Sequence, residues 1–168
     1  AIQQQNTSAL QLFKKPVSEL AGYAIDPGFG PESLTVITAQ LGSEMNDTIQ
    51  ACEQYVLPLL RTMGIRFVEV SRAGQKISNG VYVHQDTRCP ETLHPAGKYT
   101  LREELESSGT LPAFAGVHRC SLKHKASVLE PFIAYDAQQE PVTHAFGYNA
   151  NEVLRIAKCE SAIAARNR

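Results

Sequence analysis

The chain has 168 residues, 43% of them apolar, with 16 Lys plus Arg against 17 Asp plus Glu. A soluble domain of that length buries roughly 70% of its unfolded surface, so it can hold a core without disulfide or metal staples. A formal net charge of −1 removes the case for a dedicated nucleic-acid binder built on overall basic excess, although local patches remain open. No apolar run approaches the roughly 20 residues of a membrane-spanning helix. The N-terminal Ala1-Ile2-Gln3-Gln4-Gln5 lacks the basic flank and apolar stretch of a signal peptide. A cytoplasmic protein without membrane contact is the expectation. Cys52, Cys89, Cys120 and Cys159 lie far apart and form no C-x-x-C pair, which points to free thiols. The start without Met and the stop at Ala164-Ala165-Arg166-Asn167-Arg168 suggest that both ends are cut.

The opening polar segment Gln3-Gln4-Gln5-Asn6-Thr7-Ser8 runs into a helical stretch with Leu10, Leu12 and Phe13. After the turn residues Asp26-Pro27-Gly28-Phe29-Gly30-Pro31, the β-branched run from Ser33 to Gln40 reads as a strand buried on both faces. Asn46 or Asp47 can cap the next helix, whose apolar positions Ile49, Cys52, Val56, Leu59, Leu60 and Met63 recur at helical spacing. Pro58 should kink it and Gly64 should end it. Ile65 to Val70 is a second strand, completing a β-α-β unit.

Ser71 to Gly97 is long and weakly periodic, with only Val81-Tyr82-Val83 suggesting a short strand. Such stretches are more often lids or binding loops than filler, and this one, with Arg88, His94 and Lys98 in or beside it, is expected to face an acceptor. Thr100 with Glu103 forms a capping box for a helix to Ser107, ended by Gly109. A further helix from about Ser121 to Tyr135 has the stripe Leu122, Val128, Leu129, Phe132 and Ile133, with Pro131 as a late break. Pro141 to Phe146 reads as a third strand ending at Gly147. Asn149 with Glu152 caps a final helix carrying Val153, Leu154, Ile156 and Ala157. Strands alternating with helices predict an α/β domain with a doubly wound, mainly parallel sheet and helices on both faces. Ligands then bind beyond the carboxyl ends of the strands.

Four constellations can carry chemistry. Asn6, Thr7 and Ser8 at a helix start can cradle a phosphate or simply cap the helix. His118-Arg119-Cys120-Ser121-Leu122-Lys123-His124-Lys125 gathers cations that can grip an anion, Arg119 by its fork and Lys123 and Lys125 as point charges. The same run also fits a solvated basic face. Cys120 and His124 have no third ligand at close spacing, so no metal site is assigned. Gly147-Tyr148-Asn149-Ala150-Asn151-Glu152-Val153-Leu154-Arg155 is a strand-to-helix turn with an Arg one turn in. Glu44 and Asp47, after the first strand, can hold Mg²⁺ beside phosphates or serve the helix dipole.

Taken together, these pieces resemble the adenine nucleotide alpha-hydrolase superfamily, or PP-loop ATP pyrophosphatases, and within it the phosphoadenylyl sulfate reductase-like group. The basic run is similar to that group's R-x-C-x-x-x-K helix start, and Phe146 to Arg155 is similar to its G-x-x-x-x-E-x-x-R turn. Val36-Ile37-Thr38-Ala39-Gln40-Leu41-Gly42-Ser43-Glu44 matches the strand whose end carries adenosine in the family. The opening segment stands where the family has S-G-G-x-D-S, with Gln3 and Gln4 at the glycines, Asn6 at the Asp and Thr7 at the final Ser.

The resemblance implies a single adenine-nucleotide-binding domain over residues 1–168, Rossmann-like and of HUP type. It implies binding of ATP or a related adenylyl nucleotide, with Mg²⁺, and adenylation or pyrophosphate release at the alpha-phosphate on an unidentified acceptor. Arg119, Lys123 and Arg155 would be the catalytic cations. Asn6, Thr7, Ser8, Thr38, Ala39, Gln40, Gly42, Gly147 and Glu152 would line the nucleotide site. Two alternatives stay open: a degenerate binding or regulatory module, favoured by the missing loop glycines, and a sulfonucleotide reductase or iron–sulfur protein with its remaining motifs outside this chain. The adjacent-cysteine and distal C-x-x-C pairs that ligate a cluster in some members have no counterpart here, so no cluster is expected. Oligomer formation stays open.

Overall fold

The computed structural model describes residues 30–110, 121–138 and 140–144. The first strand, β1 (Thr35–Ala39), leads through a loop into α1 (Asn46–Ala51), which continues with helical dihedrals through a π-helical stretch (Cys52–Val56) into α2 (Leu57–Met63). Next come β2 (Arg66–Arg72), a single 3₁₀ turn (Ile77–Asn79), β3 (Val81–Thr87), α3 (Leu101–Ser108), a π-helical stretch (Ser121–Ala126) and α4 (Ser127–Asp136). The class is α/β, and the described residues form a mixed three-stranded sheet in the order β1-β2-β3. β1 and β2 pair in parallel, with Thr38 opposite Glu69 and Ala39 opposite Val70. β3 runs antiparallel to β2.

Alternation along β2 sends its side chains to two faces, each with its own core. Val68 and Val70 join Ala39, and α4 covers them with Val128 and Phe132. Phe67 faces the other way, into a cluster with Ile65 and with Leu57 and Leu60 of α2, flanked by Val36 and Leu93. β2, in the middle of these three strands, is the deeply buried one. β1, expected to be buried on both faces, is mostly half-buried. Cys52 and Cys89 are free thiols. Among the described residues no helix is long and apolar enough to cross a membrane.

Local signals were read well where they are self-contained. Thr100 caps α3 and exchanges hydrogen bonds with Glu103 as a full capping box, and Gly109 closes the helix in the left-handed region at φ 60°. Gly64 ends α2 in the same way, at φ 64°. The cap of α1, however, is Met45, so Asn46 and Asp47 fall inside the first turn, where Asp47 meets the helix dipole. Pro58 does not break its helix. The carbonyl its ring would crowd belongs to Gln54, inside the π-helical stretch, whose wider turn makes room for the ring. Pro131 likewise lies inside α4, which runs on to Asp136.

The phase of the helix from Ser121 differs from a 3.6-residue reading. Its first six residues form π turns, which rotate successive side chains less per residue, so Leu122 lies exposed and His124 is turned inward. Val81-Tyr82-Val83 extends to a seven-residue strand. Pro141 to His144, expected to be strand, is exposed and irregular; Ala145 and Phe146 lie outside the described residues, as do the opening helix and the final helix. Contacts divide the chain into two units, 1–134 and 135–168. In the second, the described residues are the end of α4, a turn with Gln138 at φ 49°, and the irregular stretch 140–144.

Two substitutions check this packing by urea unfolding. Leu57→Ala, at a side chain 1% exposed, should cost about 2–5 kcal/mol through transfer and cavity terms. Thr100→Ala should cost about 1 kcal/mol through the lost cap.

Candidate functional site

The parallel pair β1–β2 fixes where the site lies, because both strands end on the same side. There Gln40 continues the ladder by donating its backbone N–H to the Val70 carbonyl at 2.7 Å. The segment from His94 to Leu101 crosses these ends. Gly97 lies so close to Ser71 that an added Cβ would come within 2.6 Å of its Cβ and Oγ. Tyr99 lies over the Arg72 guanidinium at 5.0 Å. The Leu101 N–H donates to the Leu41 carbonyl at 2.8 Å. Gly42, at φ 78°, faces Thr100 so closely that a side chain there would overlap it.

Two polar clusters flank this crossing, on opposite faces of β2. The first centres on Arg72, which is 4% exposed. Its Nη1 donates to Glu104 Oε2 of α3 at 3.1 Å and faces His124 Nε2 at 3.5 Å, while Nη2 donates to the Gln75 carbonyl. Lys123 Nζ reaches the other oxygen of Glu104 at 2.8 Å. Tyr99 stacks on the His124 ring at 6.2 Å. Arginine offers only donors, so the His124 nitrogen facing it must accept, which leaves the proton on Nδ1. That Nδ1 and Arg72 Nε are buried without a hydrogen-bond partner among the described residues. Burial, and then the neighbouring Arg72, hold the His124 pKa below its ordinary value. The hydrogen bond from Lys123 is the main cause of the lowered Glu104 pKa.

The second cluster centres on Glu69, which is 0% exposed. Its Oε1 accepts from Gln40 Nε2 at 2.5 Å and from the His94 backbone N–H at 2.8 Å; its Oε2 accepts from Gln85 Nε2 and from His94 Nδ1, both at 2.8 Å. A carboxylate has about four lone-pair sites, and here each meets a donor. The ladder between β2 and β3 slips beside Glu69: Gln85 pairs with Glu69 and Val83 with Val70, leaving His84 as the extra residue of a bulge. A bulge breaks alternation. It therefore brings His84 to the same face as Gln85, where His84 Nε2 meets Ser71 Oγ at 2.9 Å and the ring stacks on His94 at 5.8 Å.

Of the residues expected from sequence, Gln40 and Gly42 lie at the crossing, Thr38 and Ala39 are ladder residues of β1, and Lys123 belongs to the Arg72 cluster. Asn6, Thr7, Ser8, Arg119, Gly147, Glu152 and Arg155 lie outside the described residues. Sequence reading missed Glu69, Ser71, Arg72, His84, Gln85, Tyr99 and Glu104 as site residues, and held His94 and His124 only as members of longer segments. The available signal was Glu69 between Val68 and Val70, with Arg72 three residues on, since buried charges are rare without partners.

His124 and His84 both have lowered pKa values, His84 mainly through burial and against the opposing pull of Glu69. Each binds protons more readily unfolded than folded, so stability is complete above the unfolded value of about 6.5 and falls as pH drops through it toward the folded value. Urea unfolding across that window should show this loss, and His124→Asn should reduce it while leaving the part due to His84.

Comparison with known family models, curated proteins and solved structures finds no match for this chain.

Proposed function

We propose that the chain binds ATP or a related adenylyl nucleotide beyond the carboxyl ends of β1 and β2 and acts at its alpha-phosphate. In this reading the three strands belong to a doubly wound, mainly parallel sheet of the nucleotide-binding type. The observation that carries it is the Arg72 cluster. Two cations, Arg72 and Lys123, share the single carboxylate of Glu104, and two buried nitrogens, Arg72 Nε and His124 Nδ1, have no acceptor among the described residues. An unsatisfied buried donor costs about 1–3 kcal/mol. Donors in excess, on a locally cationic patch at strand ends, call for an oxyanion, and phosphate is the oxyanion that the resemblance of the Lys123 and Arg155 segments implies. Arg119, Arg155 and the segment Asn6-Thr7-Ser8 enter on that resemblance alone, as does Mg²⁺.

A second reading, a binding module without catalysis, is favoured by Gln3 and Gln4 at the loop glycines and by Lys123 being already engaged with Glu104. It differs from the first by a single result, ATP binding without pyrophosphate release.

Isothermal titration with ATP and Mg²⁺ tests the binding. The wild type should bind. Lys123→Ala should weaken binding about tenfold, equivalent to ~1.4 kcal/mol, and Glu104→Gln, which removes the competing carboxylate, should strengthen it. Absence of binding to the wild type, or equal affinity in Lys123→Ala, overturns the proposal.

A further inference from the structure

The Glu69 cluster lies on the face of β2 opposite Arg72, three residues and so about 10 Å along the strand, and of its members only Gln40 belongs to the nucleotide site that the resemblance implies. We infer that His94, oriented by Glu69, is the proton acceptor for the group that attacks the alpha-phosphate. That makes the acceptor substrate a protonated oxygen or nitrogen nucleophile: water, an alcohol or an amine. A carboxylate or thiolate would need no such base. The inference rests on the proposed nucleotide chemistry for its electrophile.

The geometry is that of an activated imidazole. Glu69 can only accept, so His94 Nδ1 carries the proton in their 2.8 Å bond and Nε2 keeps its lone pair. The His94 backbone N–H, bonded to the other oxygen of the same carboxylate, fixes the ring's base as well as its edge. Neighbouring bonds hold the two residues that precede His94. Leu93 donates its N–H to Glu53 Oε1 at 2.9 Å, and Gln85 donates to the Thr92 carbonyl at 2.7 Å. The side chain of His94 is nonetheless 46% exposed, so a buried carboxylate supports a base that solvent and substrate can reach. Among the described residues, the charged and titratable groups tied to the segment around His94 are Glu69 on β2, His84 on β3, Glu53, which accepts from the Leu93 N–H, and Lys98 farther along it, which lies over Tyr82 at 4.6 Å. Burial keeps the His84 pKa low, so this second ring does not present a competing cation near neutral pH.

In the step itself, the lone pair of the attacking oxygen or nitrogen forms a bond to the alpha-phosphorus, the bond from that phosphorus to the bridging oxygen breaks, and pyrophosphate leaves with the electron pair. The nucleophile's proton passes to His94 Nε2, giving an imidazolium that Glu69 stabilises. His94 then returns the proton to water. General-base assistance of this kind contributes about 10²–10⁴-fold.

Pyrophosphate release from ATP, with water as the acceptor, tests the assignment in wild type, His94→Gln and Glu69→Gln. His94→Gln should lower the rate by about 100-fold or more with unchanged ATP affinity by calorimetry, and should recover in part with added imidazole. Should Glu69→Gln fail to fold, the half-exposed His94 still decides the matter. A wild type that binds ATP and releases no pyrophosphate overturns the inference, as does a His94→Gln variant with the wild-type rate. If ATP does not bind at all, the nucleotide reading fails instead, and hydrolysis of p-nitrophenyl acetate reads the imidazole separately. A slower rate in His94→Gln then supports an activated His94, and an equal rate removes it.

Discussion

The carboxylate of Glu69 is the constraint around which the strand ends are organised. An ionised group taken out of water costs several kcal/mol unless its lone pairs are matched, and matching them draws four donors from three parts of the chain: the end of β1, β3, and the backbone and ring of His94. The segment around His94 has no regular secondary structure of its own. It keeps its course because Glu69, Glu53 and Gln85 accept from or donate to it at successive residues, and because Leu93 packs against the core of that face.

β2 therefore carries two buried charges with different degrees of satisfaction. Glu69 is saturated, which favours a rigid, single arrangement. Arg72, on the other face, is held by Glu104, the Gln75 carbonyl and the Tyr99 ring, yet keeps one nitrogen without an acceptor among the described residues. The segment from His94 to Thr100 touches both environments, passing from the Glu69 carboxylate over Ser71 to Arg72 and Gly42. A change in one cluster has a covalent path of few residues to the other.

How much of this could be read from the sequence follows the range of each interaction. The capping box of Thr100 and Glu103 and the helix stops at Gly64 and Gly109 are local, and the structure has them where spacing puts them. The β-α-β unit was legible from periodicity for the same reason. The failures come from broken periods. The π turns from Ser121 exchange the environments of Leu122 and His124, and the bulge beside Glu69 hides β3 behind an interrupted alternation. Lys123 was singled out as a cation, but its partner Glu104 lies 19 residues away, beyond any spacing rule. Glu69 was invisible as a centre because its four donors are gathered only by tertiary structure.

The bulge has one more implication. Its flanking pairs, Glu69 with Gln85 and Val70 with Val83, are adjacent on β2, so a ladder with one residue fewer in β3 would be regular and would keep every other partner. β3 is thus one residue longer than its pairing requires. The surplus residue is His84, and what it adds is an imidazole against Ser71 and His94. In a lineage that no longer needed that ring, loss of a single codon would be the shortest route to a better-paired sheet.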